Sequence, residues 1–250
     1  MVITSNRFGG TGTSEVRRRV GVSAKTETPR ERYRAQVRAE IKDHAWRQIA
    51  TAGASALSLN AIAKLMGMSG PALYRYYAGR DELITELIKD GYRSLADRLR
   101  AAADDGADVR ALARAVRGWA LEDPNRFFLL YGTPVPGYHA PDETTVISAE
   151  IMAVLLDTWS REPGAPTAED PETPFAAHLR DHRAWSRGHP APPAVLHRAL
   201  SLWARVQGVL SLELAGQFTG MGFDAEAFFE AEITDLVTTA AAGRPAPSAQ

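Results

Sequence analysis

Histidine and acidic side chains that could bind a metal ion lie between residues 178 and 189. His178 and His182 are four residues apart, which would place them on one face of a helix, as in some zinc sites. Asp181 and His189 are close by, so a metal-dependent enzyme is one function to weigh. The segment lacks the glutamate of a His-Glu-x-x-His motif and follows a proline-rich stretch, which favours a solvated surface pair. We therefore predict no metal site.

Other kinds of enzyme and cofactor chemistry lack their usual sequence features. The chain of 250 residues has no cysteine, which excludes thiol nucleophiles, disulfides and cysteine-bound zinc. The glycines at positions 9, 10 and 12 follow no predicted strand, so they do not form a phosphate-binding loop. There is also no Gly-x-Ser-x-Gly motif for a nucleophilic serine. We expect no catalytic residues and no cofactor.

The distribution of charge points instead to a polyanion as the partner. Residues 1–80 contain 14 Lys and Arg and 5 Asp and Glu, whereas residues 81–250 contain 15 and 25. The net charge of -1 therefore combines a basic segment of +9 with an acidic segment of -10. Such asymmetry is typical of a nucleic-acid-binding segment on an acidic body, although a charged face is often only solvated. A motif is needed to decide.

Two short helices within the basic segment can form such a motif. Ser58 is a candidate N-cap for a helix whose apolar residues recur at the i, i+3, i+4 and i+7 positions from Leu59. Gly67 ends this helix, and a second helix follows over residues 70–77. Two helices joined by a tight glycine turn are typical of the helix-turn-helix, whose second helix enters the DNA major groove. An ordinary helical hairpin has the same pattern, but the basic surroundings favour DNA.

The stretch 58–77, followed by Gly79-Arg80-Asp81-Glu82-Leu83, resembles the signature of the tetracycline-repressor (TetR) family. The shared pattern is Ile-Ala in the first helix, Gly-hydrophobic-Ser at the turn, and Leu-Tyr-x-aromatic-aromatic in the recognition helix. A basic residue and an acidic-Leu helix start then follow. The resemblance covers about residues 30–90 and implies a homodimeric, ligand-responsive transcriptional regulator.

The resemblance also implies a role for each residue of the motif. Tyr74 and Arg80 match positions that hold DNA phosphates, and Ser58 could add a phosphate contact from its cap. The groove-facing positions are Gly70, Pro71, Ala72, Arg75 and Tyr76. Arg75 is the best candidate to read a base, because a guanidinium can bond O6 and N7 of guanine together. Tyr76 fits core packing and phosphate contact equally well. The buried side is expected to consist of Ile62, Ala63, Met66, Leu73, Tyr77 and Leu83.

The rest of the chain is also predicted to be helical, so the fold class is all-α. Periodicity predicts a first helix that starts after Pro29 and ends at Gly53, a long helix over 80–103, and further helices over 109–121, 125–131, 143–159, 194–218 and 225–240. Loops at 132–141 and 162–174 are rich in proline or glycine. We divide the chain into a disordered basic arm (1–28), a three-helix helix-turn-helix domain (29–90), a C-terminal ligand-binding and dimerisation domain (91–242) and a disordered tail (243–250).

The helix predicted over 194–218 is apolar on two neighbouring faces. One stripe consists of Leu196, Leu200, Trp203, Leu210 and Leu214, and the other of Val195, Ala199, Leu202, Val206 and Val209. A helix that is apolar on two sides must be covered twice, once by its own subunit and once by a partner. With the helix over 225–240 it is expected to form the four-helix dimer interface typical of the family, with Val209 facing the partner.

The same helix carries one amide, Gln207, in an apolar stripe. Such an amide needs partners, which either a neighbouring helix or a small-molecule ligand could supply. The stretches 203–208 and 123–132 resemble a C-terminal class of TetR-like proteins named for a Trp-His-Gly set, but Gln207 stands where the histidine would be. We expect a ligand between the helix of Trp203 and Gln207 and the segment 127–131. Aromatic residues that either line this pocket or pack as plain core are Trp119, Phe127, Phe128, Tyr131, Trp159 and Trp203.

Together these features predict a sequence-specific DNA-binding transcriptional regulator rather than an enzyme. We expect a repressor that binds a palindromic operator in double-stranded DNA as a homodimer and is released by a small apolar effector. The alternatives are a DNA-binding regulator without a ligand pocket, which a filled C-terminal core would support, and the metal-dependent enzyme above. No apolar run is long enough for a membrane span or a secretory signal, so we expect a cytoplasmic protein without membrane contact.

Overall fold

The computed structural model describes residues 28–167 and 172–242, and within these ranges the fold is all-α with no strand. The predicted tail and all of the predicted basic arm except Thr28 lie outside the described residues. The α-helices of the described ranges are α1 (Pro29–Ala52), α2 (Leu59–Leu65), α3 (Gly70–Leu73), α4 (Arg80–Asp104), α5 (Val109–Glu122), α6 (Pro124–Tyr131), α7 (Asp142–Arg161), α8 (Pro174–Asp181), α9 (Pro193–Leu214) and α10 (Ala225–Ala242).

Local sequence fixes both ends of helix α1. The Thr28 hydroxyl accepts a hydrogen bond from the Glu31 N–H (3.2 Å), and the Glu31 carboxylate accepts one from the Thr28 N–H (2.7 Å), which is a capping box. Pro29 occupies the first helical position, where a missing N–H costs nothing. At the other end Gly53 has a φ of 77° and donates its N–H to the Ile49 carbonyl (2.9 Å). The predicted bounds of this helix are confirmed.

The N-terminal helices enclose one hydrophobic core, which we call the head core. Its buried residues are Val37, Ile41, Ala45, Ile49, Leu57, Leu59, Ile62, Ala63, Leu73, Tyr77, Leu83, Ile84, Leu87 and Ile88. Five of the six residues predicted for the buried side of the motif are among them, and the sixth, Met66, is half-buried against the same core.

A second core, the body core, lies among the C-terminal helices. Its largest fully buried side chains are Trp119, Trp159, Phe127 and Phe229, on α5, α7, α6 and α10 respectively. Helix α9 supplies a further row of buried aliphatic residues, from Val195 to Leu210. The body is therefore a helical bundle built around α9.

Helix α4 passes through both cores without a break. Leu83 and Leu87 are buried in the head core, whereas Leu95 and Leu99 are buried in the body core. Between them lies Gly91, where a Cβ atom would be only 2.7 Å from a methyl carbon of Leu130 on α6. A larger residue at this position would push the Leu130 side chain aside, so Gly91 gives the Leu130 side chain of α6 its place against α4 where the two cores meet.

Three helices differ from the sequence-based predictions. Helix α3 was predicted over 70–77 but ends at Leu73, because the Arg75 and Tyr76 N–H groups bond to carbonyls three residues back, as in a tighter turn. Helix α9 was predicted to reach residue 218 but ends at Leu214, and Gly216, with φ of 71°, turns the chain there. Helix α8 was not predicted, although Thr173 caps it by accepting from the Ala176 N–H (3.2 Å).

The doubled apolar stripe on α9 is covered differently from the prediction. Val209, expected to face a partner, is 5% exposed and belongs to the body core of its own subunit. The side of α9 that faces outward carries Ala204, Gly208 and Leu212, and Leu212 is 47% exposed. The two stripes predicted as separate faces are thus mostly one broad buried face, because α5, α7, α8 and α10 all pack against this helix.

Candidate nucleic-acid interface and effector cavity

The first helix of the motif begins at Ser58 as predicted. The Ser58 hydroxyl accepts from the Ala61 N–H (3.3 Å), and the Ser58 N–H donates to the Gln48 side chain on α1 (2.9 Å). Gly67 has a φ of 64°, which lets the chain reverse before α3. The cap and the glycine turn together fix the angle between α2 and α3.

The inner side of the recognition turn is locked into the head core. Leu73 and Tyr77 are both fully buried. Burial raises the pKa of Tyr77 to about 12, and this dominates over the lowering effect of Arg38, whose guanidinium carbon lies 4.3 Å from the ring centre. A buried Leu-x-x-x-Tyr pair therefore leaves the opposite side of the turn to point outward.

The outward side carries the residues predicted to touch DNA. Pro71, Tyr74 and Arg75 are exposed, and Tyr74 is 46% exposed. Gly70 and Ala72, between them, are half-buried and small, so the backbone can approach a ligand closely. Of the predicted groove-facing positions, Tyr76 packs against the head core instead, and Tyr74, predicted to hold a phosphate, is exposed with the others.

Two arginines of α1 that the sequence analysis missed hold the end of the recognition turn. Arg38 donates to the Tyr76 carbonyl (2.9 Å) and Arg34 donates to the Arg75 carbonyl (3.3 Å). These carbonyls lie just past the last turn of a four-residue helix, where no helical N–H reaches them. Arg34 also lies 5.8 Å from the centre of the half-buried Tyr76 ring. The basic residues spaced four apart on α1 were the available signal.

Arg80, predicted to hold a phosphate, is anchored at the start of α4. Its guanidinium donates to the Ala54 carbonyl (3.0 Å) and pairs with Asp81 (3.3 Å between Nη1 and Oδ1). The Arg80 side chain is 29% exposed. Its position is thus fixed by the loop after α1, while part of the guanidinium still faces solvent.

A chain of ion pairs connects the recognition turn to the body. Besides the Tyr76 carbonyl, Arg38 binds Glu86 on α4 (3.2 Å between Nη2 and Oε2). Lys89 binds the same Glu86 (3.2 Å) and also Glu143 in the first turn of α7 (2.6 Å between Nζ and Oε1). These contacts, which we call the Arg38–Glu143 chain, raise the pKa of Lys89, chiefly through its hydrogen bond to Glu143.

The body contains a cavity of about 300 Å³ where α4, α6, α7 and α9 meet, which we call the aromatic cavity. Its lining residues are Tyr92, Tyr131, Thr145, Ser148, Ala149, Ile151, Met152, Trp185 and Trp203. The Tyr131 ring packs edge-on against Trp203, with 5.6 Å between ring centres, and edge-on against Tyr92 at 5.9 Å. The cavity lies beside the part of α7 that follows Glu143.

The predicted ligand-binding residues do not all meet at this cavity. Tyr131 and Trp203 line it, whereas Phe128 lines a separate space of about 380 Å³ between head and body. Trp159 lines another space, of about 660 Å³, formed with α9 and α10. The remaining two aromatic residues are core: Phe127 is fully buried, and Trp119 donates its indole N–H to Ser94 (3.1 Å).

Two buried polar groups near the aromatic cavity are unpaired. The Tyr131 hydroxyl and both amide atoms of Gln207 have no hydrogen-bond partner among the described residues. Gln207 follows Trp203 by one turn of α9, although it does not itself line the cavity. Burial raises the pKa of Tyr131 well above its usual value. No neighbouring helix therefore supplies the partner that the Gln207 amide was expected to need.

The histidines considered for metal binding lie on the surface. His178 and His182 are exposed and stack face to face, with 4.0 Å between ring centres. Within residues 28–167 and 172–242 there is no group of three or more side chains that could hold a metal ion. In the same ranges no helix is long and apolar enough to cross a membrane.

An exposed recognition turn on a packed three-helix head, joined to a helical body, defines a DNA-binding regulator of the helix-turn-helix class. Residues 41–87 match the family model described as bacterial regulatory proteins, tetR family, and residues 109–236 match the model of the tetracyclin repressor-like C-terminal domain. The chain belongs to the TetR family of bacterial transcriptional regulators.

Relatives and solved structures agree with this family. The HTH-type transcriptional regulators Rv1816 of Mycobacterium tuberculosis and Mb1846 of Mycobacterium bovis are each 39% identical over 222 residues, which is 83% of this chain and 94% of theirs. The crystal structure of SCO4313, described as a regulatory protein, is 67% identical with a TM-score of 0.78, covering 84% of this chain and all of that one. A protein of unknown function from Rhodococcus sp. RHA1, 20% identical with a TM-score of 0.56 over 83% of this chain and 94% of its own, shares the fold.

Proposed function

We propose that this regulator is a repressor that binds a palindromic operator as a homodimer and leaves it when a small molecule occupies the aromatic cavity. The observation that carries the proposal is the pairing of an outward recognition turn with a cavity joined to it by the Arg38–Glu143 chain. The alternative without an effector predicts a filled C-terminal core, and a space of about 300 Å³ bordered by aromatic side chains favours the ligand-responsive regulator instead.

In this proposal the recognition turn reads DNA through Arg75. Arg75 is exposed at the end of the turn, where its guanidinium can reach O6 and N7 of a guanine. Tyr74, exposed beside it, and Arg80, fixed on the Ala54 carbonyl, would hold phosphates. Ser58 would add a phosphate contact from its cap position, because its hydroxyl oxygen accepts from the Ala61 N–H and its O–H can still donate to a phosphate.

The roles proposed for Gly70, Pro71 and Ala72 follow from their size. They begin the recognition helix, and none of them would keep the backbone away from the base edges. Tyr76 is half-buried against the head core and beside Arg34, which supports the packing role over the phosphate contact.

The partner subunit would cover the outward faces of α9 and α10. Ala204, Gly208 and Leu212 form this face on α9, and Ala227 and Ala231 form it on α10, all of them exposed at helical spacing. A Cβ atom at position 208 would meet no atom within 4 Å in its own subunit, so intrachain packing does not require this glycine. Small side chains let two helices approach closely, which suits a four-helix interface between two copies.

Release would follow from differential binding of the effector. A ligand that fits the aromatic cavity only when α4 has tilted would spread the two recognition turns and so weaken DNA binding. By linkage, DNA must then weaken the ligand by the same factor, typically about 5–150-fold. Gln207 stands where the Trp-His-Gly class has its histidine. We therefore deduce the ligand from the aromatic cavity and not from that class.

Selection of bound DNA from a random pool tests the DNA half of the proposal. We expect a palindrome whose half-sites are about one helical turn, roughly 34–36 Å, apart, as two recognition helices of a dimer require. Arg80→Ala, run in parallel, should enrich the same sequence at lower salt. An unpaired half-site, or a pool that stays unselected, would contradict the dimeric repressor.

A further inference from the structure

We propose that the effector is a flat, uncharged aromatic compound of roughly ten to fifteen non-hydrogen atoms, with one polar group that hydrogen-bonds to the Tyr131 hydroxyl. The inference rests on the proposed function in taking the aromatic cavity as the effector site. It adds the chemical class of the ligand, which follows from the charge, shape, size and polarity of the cavity wall.

The charge of the wall argues against an ionic ligand. None of the described residues that line the cavity is acidic or basic. The charged residues next along α4 and α7 are already paired, since Arg93 and Arg100 both bind Glu150 (2.9 and 2.8 Å). A carboxylate or ammonium group placed against this wall would lose part of its hydration without gaining a counter-charge, which is costly. The wall therefore selects a neutral molecule.

The shape of the wall favours a ring over a chain. Tyr92, Tyr131 and Trp203 form a continuous edge-to-face series, with interplanar angles of 81° and 76° at the two contacts. Trp185, in the short turn Ala184–Ser186, adds a further indole to the lining. Aromatic rings gain most from partners that can also pack edge-on or offset-stacked, because this attraction adds to the effect of burial.

The size of the cavity limits the ligand. At the packing density of protein interiors, about 300 Å³ is filled by roughly ten to fifteen non-hydrogen atoms. This corresponds to two fused rings with one or two substituents. Met152 in the lining has an unbranched side chain that can adjust to small differences in outline.

The polarity of the wall supplies one specific anchor. Among the residues that line the cavity, the Tyr131 hydroxyl is the buried polar group without a partner in the described ranges. It is closed to solvent, so a ligand reaches it when the Tyr131 ring turns toward the cavity. The Ser148 hydroxyl already donates to the Thr145 carbonyl (3.0 Å). A neutral phenol both donates and accepts a hydrogen bond, so it can bind a hydroxyl, carbonyl or amine on the ligand. A buried polar group without a partner is costly, so a ligand that pairs it gains affinity and selectivity.

Calorimetric titration of the full-length protein with matched probes tests the class, in the absence of DNA. The probe is β-naphthol, and its matched partners each change one property: decahydro-β-naphthol is not aromatic, naphthalene lacks the hydroxyl, β-naphthoate is an anion, and phenyltrimethylammonium is a cation. We expect β-naphthol to bind at least tenfold more tightly than each of them. Equal or tighter binding of the saturated alcohol, the anion or the cation would overturn the class.

Single substitutions test whether the probes bind in the aromatic cavity. Tyr131→Phe should weaken β-naphthol about tenfold, as expected for one buried hydrogen bond, and leave naphthalene unchanged. Trp203→Leu should weaken both probes, whereas Phe175→Ala, which removes an aromatic ring exposed on α8, should weaken neither. Tyr131→Phe variants that bind β-naphthol as tightly as the wild type would overturn the proposed anchor.

Operator binding in the presence of the probes separates this inference from the proposed function. If β-naphthol binds as expected but leaves operator affinity unchanged, the ligand class stands and release through this cavity fails. If β-naphthoate binds more tightly and releases the operator, release stands and the ligand class fails.

Discussion

The head and the body of this regulator are both helical, but they meet their polar requirements differently. In the head, backbone carbonyls at the end of the recognition turn are bonded by Arg34 and Arg38, and Ser58 and Thr28 cap their helices. In the body, the Tyr131 hydroxyl and the Gln207 amide are buried and unpaired among the described residues. In the described part of the chain the head also buries one unpaired group, the Tyr77 hydroxyl, so the difference lies at two places. The carbonyls of the recognition turn are bonded and present one fixed surface, whereas the body has a cavity that can still gain energy from a ligand.

The largest effect is expected when a glutamate is introduced on one side of α9 or on the other, in two separate variants. Val209→Glu buries an unpaired carboxylate in the body core and should lower the free energy of unfolding by about 3–5 kcal/mol, as measured by denaturant titration. Leu212→Glu, on the outward face of the same helix, should leave subunit stability nearly unchanged but yield monomers in sedimentation. A dimeric Leu212→Glu protein would remove α9 from the proposed interface.

Arginine substitutions on the outward surface of the head should change DNA binding without changing the fold. Arg75→Ala should cost about 1–3 kcal/mol of operator affinity and relax the preference at one base pair in each half-site. Arg80→Ala should weaken all sequences alike and lower the salt dependence by about one per subunit. Binding-site selection on both variants measures the difference, and an unchanged base preference in Arg75→Ala would falsify its role as base reader.

Arg38 links the recognition turn to helix α4, so its loss should affect both stability and operator binding. Arg38→Met removes the bond to the Tyr76 carbonyl and the pair with Glu86, and should cost about 1–2 kcal/mol of stability together with a several-fold loss of operator affinity. Lys42→Met is the matched control, because Lys42 pairs with Asp90 on α4 but no hydrogen bond joins it to the recognition turn. Its effect should stay within about 1 kcal/mol. Equal effects of the two variants would argue that the carbonyl contact is unimportant.

The smallest expected effect concerns the unpaired amide of the body. Gln207→Leu replaces a buried polar group that lacks a partner by an apolar one of similar size, so the melting temperature should rise by about 2–4 °C. Gln217→Leu, at an exposed position after α9, should leave it unchanged. Operator binding and the response to an effector should both persist in Gln207→Leu, because Gln207 does not line the aromatic cavity. A fall in melting temperature would mean that the amide is a structural partner in the body.

The sequence predicted the head in more detail than the body because the signals of the head are local. A cap at Ser58, a glycine at 67 and the spacing of apolar residues are read within a few positions, and each has the expected role in the structure. The arginine that bonds the carbonyl at the end of the recognition turn could not be deduced in the same way, because Arg38 lies 38 residues before Tyr76 in the sequence. Helix α3 ends at Leu73 and not at residue 77, which the local sequence pattern did not predict either.

In the body, the grouping of aromatic residues could not be predicted. Helical spacing places Trp119, Phe127 and Tyr131 alike on buried faces, and only the packing of separate helices decides which of them borders a cavity. The outward face of α9 was misassigned for the same reason, since the apolar pattern of Val209 does not reveal how many helices of its own subunit cover it.

The unbroken course of α4 through both cores bears on how regulators of this kind can be recombined by protein engineering. The contacts of Glu86 and Asp90 with α1 belong to the head, while Gly91 is already seated under Leu130 of the body. A hybrid gene that fuses this body to the head of another family member would therefore be cut within the helix, between codons 90 and 91. Such a fusion keeps the glycine with its α6 neighbour. The new head would need a lysine equivalent to Lys89 to regain the contact with Glu143, and a hydroxyl equivalent to that of Thr85 to regain the hydrogen bond to Tyr138.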